Sequence, residues 1–500
     1  MWIKILKFFH RFFLDKYEKE FLKISKIKNK KNFYKKNLAV QCTINNYYYI
    51  LLLKSILSKK KFKEYNFIGI WSYDIKVNQI ENKILKKIYD FKNEIVFFLE
   101  KRKWSKFYTN LGIKKIYDLG HLFYKYEKNR KFFSKKDILN FKYRGILVGD
   151  LIYDTLIRFR NKPTVDLNDS SINEYLESIN YNYSQLINIY NKFKFDYYFS
   201  NYASYIQHGF PVRFFLQKKV SVFSSGCNHY NLKKIKKNDF LHNIDFKRLK
   251  KLFNNQKNKK KNLLTSKVDL QKKFLGMNSL SSNYLRNNPF SLESGKKIKK
   301  VKGVLFLHDF LDAPHDRGGH MLFNDYYEWA LHSIEFIKKN NLDIAIKPHP
   351  NSINDSKKIE IEIKNKFKNL LWLSTRVNNL DIYKNTDFVV SVNGSVLYEA
   401  AYFNKIGISA GLNPTSSFKL FKEPKTIEEY ENFLINPQKA KFKNKNIKND
   451  VLKLYYAYYY GQKDYLPKLK SNINLLEMKR DNSEDFLKYS KLINDNERDN

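Results

Sequence analysis

Short β-branched or aromatic runs alternate along this chain with longer stretches of helical apolar spacing, and most runs end in a polar turn. In the first half, residues 38–42 read as a strand, 47–57 as a helix, 67–71 as a strand, 81–91 as a helix and 95–99 as a third strand. Parallel strands need a crossover helix to return the chain to the same edge, so this alternation predicts a doubly wound sheet. Residues 104–144 break the rhythm and read as a helical, basic insertion. The pattern resumes with a helix ending near Phe195, a strand over 196–200, a helix within 202–218 and a strand over 220–223.

Between 256 and 300, Lys-Asn tracts and turn residues carry little periodicity and predict an interdomain linker. The second half opens with a strand over 301–307 and continues with a helix over 321–339, strands over 343–346 and 388–392, and a helix over 396–403. A helix over 426–434 begins at Thr426, with Glu429 placed to complete a capping box. Residues 451–460 form an aromatic helix, and 481–500 are expected to fray. The fold class is therefore α/β, with two Rossmann-like doubly wound domains, 31–255 and 301–470, facing a cleft. A basic amphipathic helix (1–30) precedes them and a tail (471–500) follows.

Composition narrows the class. A chain that is 43% hydrophobic and 17% aromatic buries real cores, which excludes disorder. The formal charge of +45 comes mostly from lysines spread along the chain among Asn, Ile, Tyr and Phe, without a focused basic face. No specific nucleic-acid partner follows, and a non-catalytic RNA-binding protein is the least favoured class. Diffuse lysine does favour an anionic membrane surface. Cys42 and Cys227 are far apart and outside any CxxC pair, so neither a disulfide framework nor a zinc site is expected. Apolar runs are broken by lysine, so no transmembrane helix is expected, and residues 1–21 lack the uninterrupted core of a signal peptide. The expected location is the cytoplasm, at the inner face of the membrane, with the first helix as an interfacial element.

Chemistry concentrates after two of the strands. In Lys347-Pro348-His349-Pro350 the prolines fix φ and remove N–H donors, holding Lys347 and His349 in a stiff turn at a strand's carboxyl end. Open α/β sheets bind ligands there. Asn393-Gly394-Ser395 forms a second such turn, opening a helix whose free N–H groups suit an anion, with Glu399 one turn in on the Ser395 face. Both turns follow strands of one α/β pattern, so they are expected to meet along one sheet edge. In the first half, Asp150 and Asp154 lie four residues apart, on one face if helical. His208 precedes Gly209 near a helix start, with Arg213 about one turn on. A loop bearing His308, Asp309, Asp316 and Arg317 follows the first strand of the second domain and faces the cleft; its His and Asp spacing matches no metal-ligand motif.

Lys347-Pro348-His349-Pro350, Gly394-Ser395 with Glu399-Ala400, and the run 404–411 resemble the nucleotide-binding domain of GT-B-fold glycosyltransferases. The likeness is to bacterial capsule and surface-polysaccharide enzymes, including Kdo and sialic acid transferases with their HP and Ser motifs. The resemblance implies a nucleotide-sugar donor, a glycan or lipid-linked acceptor, and neither metal nor cofactor. It assigns Lys347, His349, Asn393, Gly394 and Ser395 to the phosphates and Glu399 to the ribose. His208 becomes a substrate contact, and Asp150, in a Gly-Asp-aliphatic-Tyr-Asp segment, the general base. The chain is also similar, less specifically, to sugar-nucleotide 2-epimerases through His349-Pro350-Asn351, though these usually carry two glycines and an acid where this chain has Val392-Asn393-Gly394-Ser395. A CDP-polyol phosphotransferase of the same fold is a further alternative.

Overall fold

In the computed structural model, described over residues 12–27, 36–72, 83–119, 130–225, 232–236, 246–282, 285, 287–291, 298–318, 321–442, 444, 446–461, 478 and 482–498, the apolar runs assemble into two largely parallel sheets. The first contains β1 (Lys36–Cys42), β2 (Tyr65–Trp71), β3 (Lys115–Asp118), β6 (Phe195–Ser200), β7 (Ser221–Ser224) and β8 (Lys233–Ile235), in the order β3-β2-β1-β6-β7-β8. Only β8 runs antiparallel to its neighbour. Two short strands, β4 (Lys142–Tyr143) and β5 (Ile146–Leu147), pair as a separate hairpin.

The second sheet is entirely parallel: β9 (Gly303–Phe306), β10 (Ile344–Lys347), β11 (Phe388–Ser391) and β12 (Ile406–Ser409), ordered β10-β9-β11-β12. Every residue of its four strands is buried. Burial on both faces explains why these segments read as continuous apolar runs rather than alternating ones.

The helices that matter below are α1 (Lys16–Ile24), α2 (Tyr47–Leu57), α3 (Lys83–Asn110), α4 (Gly149–Arg160), α5 (Lys259–Phe274), α6 (Tyr326–Lys339), α7 (Val396–Tyr402) and α8 (Ser483–Arg498). Several differ from the sequence reading. Residues 95–99, expected as a strand, lie inside α3, and the third strand is β3. A short apolar run fits either state, and here the helical spacing of the flanking residues decides. The basic insertion is thereby divided between the end of α3, β3, a short helix (Lys135–Leu139) and the β4–β5 hairpin. The linker contains α5, in which lysine and leucine, good helix formers, make up just over half of the residues. Thr426 caps its helix through Glu429 N–H, but Glu429 reaches back to Lys425 N–H rather than to Thr426.

The described segments nearest the two ends, α1 and α8, pack on the first domain. Residues 1–11 of the expected interfacial helix lie outside the described residues. The part that is described, α1, buries Phe21 completely, and its Glu18 pairs with Lys103 at 2.8 Å. The segment expected to fray forms α8. Phe486 packs on Phe21 and Tyr47 with ring centroids 4.1 and 4.5 Å away, and Ser490 meets Ser25 at 3.1 Å. By contrast the aromatic helix near 451–460 stays with the second domain, where Tyr455 donates to Asp269 at 2.7 Å.

The domains meet through a polar seam as well as a continuous apolar core. Tyr153 and Thr164 both donate to Asp325, the N-cap of α6, at 2.7 and 2.6 Å, and Arg158 donates to the Leu311 carbonyl at 3.3 Å.

Candidate functional site

β10, β9 and β11 are neighbours, so their carboxyl ends open side by side. His308 after β9, the Lys347–Pro350 turn after β10, and Asn393, Gly394 and Ser395 after β11 line one pocket of about 170 Å³. One ordered water needs roughly 10–15 Å³ on the same measure, so the space is ligand-sized. Tyr398, Tyr458 and Tyr459 close its far wall.

Hydrogen bonds set the chemistry of the two pocket histidines. The Val392 N–H donates to His308 Nε2 at 3.3 Å and Ser391 Oγ lies 3.0 Å from the same atom. A backbone amide only donates, so Nε2 is the acceptor and the ring proton sits on Nδ1. The ring stacks on Tyr326 at 4.3 Å, and Tyr326 also exchanges hydrogen bonds with the Asn393 amide. At His349 the Asn351 N–H donates to Nδ1 at 3.3 Å, which puts the proton on Nε2 as a donor. The turn is fixed from two sides. Asn351 bonds both ways with the Asn287 backbone at 2.8 and 2.9 Å, and Asp309 accepts Ile353 N–H at 3.0 Å. Asp309 also accepts Leu311 N–H at 3.0 Å, so both its oxygens brace loops.

Gly394 permits a close approach. A Cβ there would lie 3.0 Å from Ser391 Oγ and 3.7 Å from the His308 ring. The helix opened by the turn, α7, is only 7 residues long, so its dipole is small and the donors that count are individual groups.

Beneath the turn lies a buried charge pair. Glu399 is 2.6 Å from Lys273, both almost fully buried, and Tyr383 donates to the second carboxylate oxygen at 2.7 Å. Lys273 also reaches Tyr398 Oη at 3.2 Å and Ser395 Oγ at 3.5 Å. Burial opposes ionisation of Glu399, but Lys273 overrides it and holds the carboxyl below its ordinary range. Glu399, expected to touch ribose, thus sits behind the pocket wall with its oxygens engaged. Lys273 comes from α5, in the segment read as linker, and its only sequence signal is a lysine between Leu270 and Phe274 on an apolar helical face.

Lys347 is also turned inward. Nζ donates to the Val377 carbonyl at 2.7 Å and to Asn379 Oδ1 at 2.6 Å, and burial brings its pKa down to about 7 against the opposing pull of Glu399. Its backbone holds the pocket edge while its amine braces the domain, so contact with a phosphate requires those bonds to exchange.

The first-domain candidates lie outside this pocket. Asp150 forms a bidentate pair with Arg213, both contacts 2.6 Å, which ties α4 to the helix Phe210–Gln217 and commits both carboxylate oxygens. To act as the expected proton acceptor, Asp150 has to open this pair. His208 lies 3.0 Å from Gln41 Nε2 at the carboxyl end of β1, with its ring against Tyr202. Asp316 is buried and accepts from Ser204 across the seam. Arg317 is in the short helix His315–Gly318, and its side chain lies outside the described residues.

Asp154 acquires the cross-domain partner that sequence spacing did not reveal. His315 Nδ1 is 2.5 Å from Asp154 Oδ1, the His315 N–H donates to Oδ2 at 3.3 Å, and His315 Nε2 is buried with no hydrogen-bond partner among the described residues. Burial pushes the Asp154 carboxyl up to about 7 despite the imidazole. Burial likewise opposes a charged His315, but the Asp154 carboxylate raises its pKa above the ordinary histidine value. Both groups hold protons more tightly folded than unfolded. Their contribution is therefore full at low pH, starts to fall once pH exceeds the unfolded aspartate value, and continues to fall through about 7 and the raised histidine pKa. Thermal unfolding followed from mildly acidic to mildly alkaline pH is expected to show this loss, and Asp154→Asn to flatten it. An unchanged slope in the variant refutes the linkage.

No protein-family model matches the chain, and no curated protein matches it in sequence. Among solved structures it is similar to Thermosulfurimonas dismutans KpsC, a β-Kdo 2,4 transferase, at 11% identity over 53% of this chain and 79% of that one, with a TM-score of 0.31. It is also similar to the UDP-GlcNAc 2-epimerase of Methanocaldococcus jannaschii, solved with UDP-GlcNAc and UDP, at 10% identity over 83% and 97% of the two chains and a TM-score of 0.28. The Neisseria meningitidis UDP-GlcNAc 2-epimerase gives 10% identity over 84% and 95%, with a TM-score of 0.24. At these identities and TM-scores the likenesses assign no activity, and function is read from the side chains above.

Proposed function

We propose that this chain is a glycosyltransferase that binds a nucleotide-activated sugar at the edge of the second sheet and transfers the sugar to a surface polysaccharide or lipid-linked acceptor. The observation that carries this reading is the convergence of three strand ends on one pocket, with His308, the His349 turn and the Asn393-Gly394-Ser395 turn around it. In such a transfer the acceptor oxygen bonds to the anomeric carbon while the bond to phosphate breaks, its electron pair leaving with the phosphate. The acceptor proton passes to a base. Donors fixed where that negative charge develops lower the barrier without reorganising. The His349 Nε2–H, the backbone amides of the second turn and the Ser395 hydroxyl are donors of this kind.

Two measurements test the proposal. Calorimetry with CMP-, UDP-, GDP- and dTDP-linked sugars is expected to show binding of one class, and binding of none rejects the reading. A product assay with and without acceptor glycan then separates reaction types. A transferase releases nucleotide faster when acceptor is present, whereas conversion of the sugar nucleotide with no acceptor assigns a 2-epimerase instead.

A further inference from the structure

Helix α3 carries two apolar stripes, and among the described residues only one has a partner in the fold. Its inner face packs on the first domain through Trp104, Phe107 and Tyr108, all buried. On the outer face Ile88, Phe91, Ile95 and Phe98 are 60%, 65%, 45% and 64% exposed. Their spacing of three, four and three residues aligns them in one row about 15 Å long. Scattered exposed apolar side chains are ordinary on a protein surface; a continuous row of four large ones marks an interaction surface.

Charge identifies the occupant. The sequence from 83 to 106 contains eight Lys or Arg residues against three Asp or Glu; Lys103 is buried on Glu18 and Lys101 pairs with Asp118, which leaves six other cations, on a chain of net charge +45. Pairing the row with a second copy brings two strongly positive bodies together, which their fields oppose. An anionic bilayer satisfies both features, because its acyl boundary accepts the apolar row and its headgroups attract the surrounding cations. Among the described residues no helix is long and apolar enough to cross a membrane.

We infer that the outer face of α3 is a docking surface for an anionic lipid bilayer, on which the first domain rests with Ile88, Phe91, Ile95 and Phe98 in the headgroup–acyl boundary. The surface proposed is on α3; the described part of the amino-terminal segment, α1, is packed into the first domain. The inference does not depend on the proposed activity, since lipid binding needs neither donor nor acceptor.

Flotation of the full chain with vesicles of phosphatidylcholine alone, or of phosphatidylcholine mixed with phosphatidylglycerol, provides the test. The chain is expected to float with the mixed vesicles and only weakly with the neutral ones. The double variant Phe91→Ser/Phe98→Ser should partition at least about tenfold less, because the buried apolar area is largely lost. A second readout covers a variant that fails to fold. Phe91→Trp should show emission quenched by brominated lipid chains beyond the quenching of the native tryptophans. Three results overturn the proposal: no flotation of the parent chain, flotation unchanged in the double variant, or no added quenching with Phe91→Trp. So does a vesicle-free dimer in sedimentation that the double variant abolishes, because the row then belongs to a second copy.

Discussion

Lys273→Ala is expected to destabilise the protein by about 3–5 kcal/mol, the range for removing one partner of a buried ion pair. The alanine variant leaves Glu399, 1% exposed, without its direct ion pair, held by the Tyr383 donor and by the pull of Lys347. Solvent screening does not soften the loss, since both side chains are almost completely buried. Denaturant unfolding of the purified variant measures the effect. Lys273→Met combined with Glu399→Leu should recover most of it, because replacing both charges with apolar groups of similar size removes the uncompensated carboxylate. A single variant within about 1 kcal/mol of the parent contradicts the pairing, since ordinary surface substitutions fall in that range. The pair also links the α5 segment to the pocket wall, so donor binding should weaken alongside stability.

His349→Ala is expected to lower turnover by roughly 10²- to 10³-fold, the scale for losing one preorganised donor at a developing negative charge. Folding should be nearly unaffected, because the ring is only half-buried and the two prolines hold the turn without it. His349→Gln keeps an N–H donor on a similar length of side chain and should restore part of the loss. Steady-state kinetics beside a thermal melt separates the outcomes. Near-normal turnover with an intact fold makes the turn structural and removes the central support for phosphate handling. Reduced turnover with unchanged donor affinity is the mark of an interaction formed mainly in the transition state.

The sequence by itself determined the α/β class, most strands of both sheets and the two turns that line the pocket. It could do so because the information is local. Apolar runs such as 388–390 have no polar face to expose, and Pro348 and Pro350 restrict the backbone wherever the turn lies. The apolar run 95–99 was also local, but ambiguous, and the strand it suggested is part of α3.

Tertiary structure decided what the charged side chains do. Nothing in the spacing of Lys273 and Glu399, or of Asp154 and His315, marks either pair, yet both are buried contacts of 2.6 and 2.5 Å formed between segments far apart in sequence. Lys347, Asp150 and Glu399 appeared available for ligand chemistry because sequence gives a residue's charge without its neighbours. In the fold each is held by an internal partner: Asn379, Arg213 and Lys273. Burial makes an unpaired charge so costly that any ionised group drawn inside must find a counterpart, and which counterpart lies within reach is fixed only when the distant segments pack together.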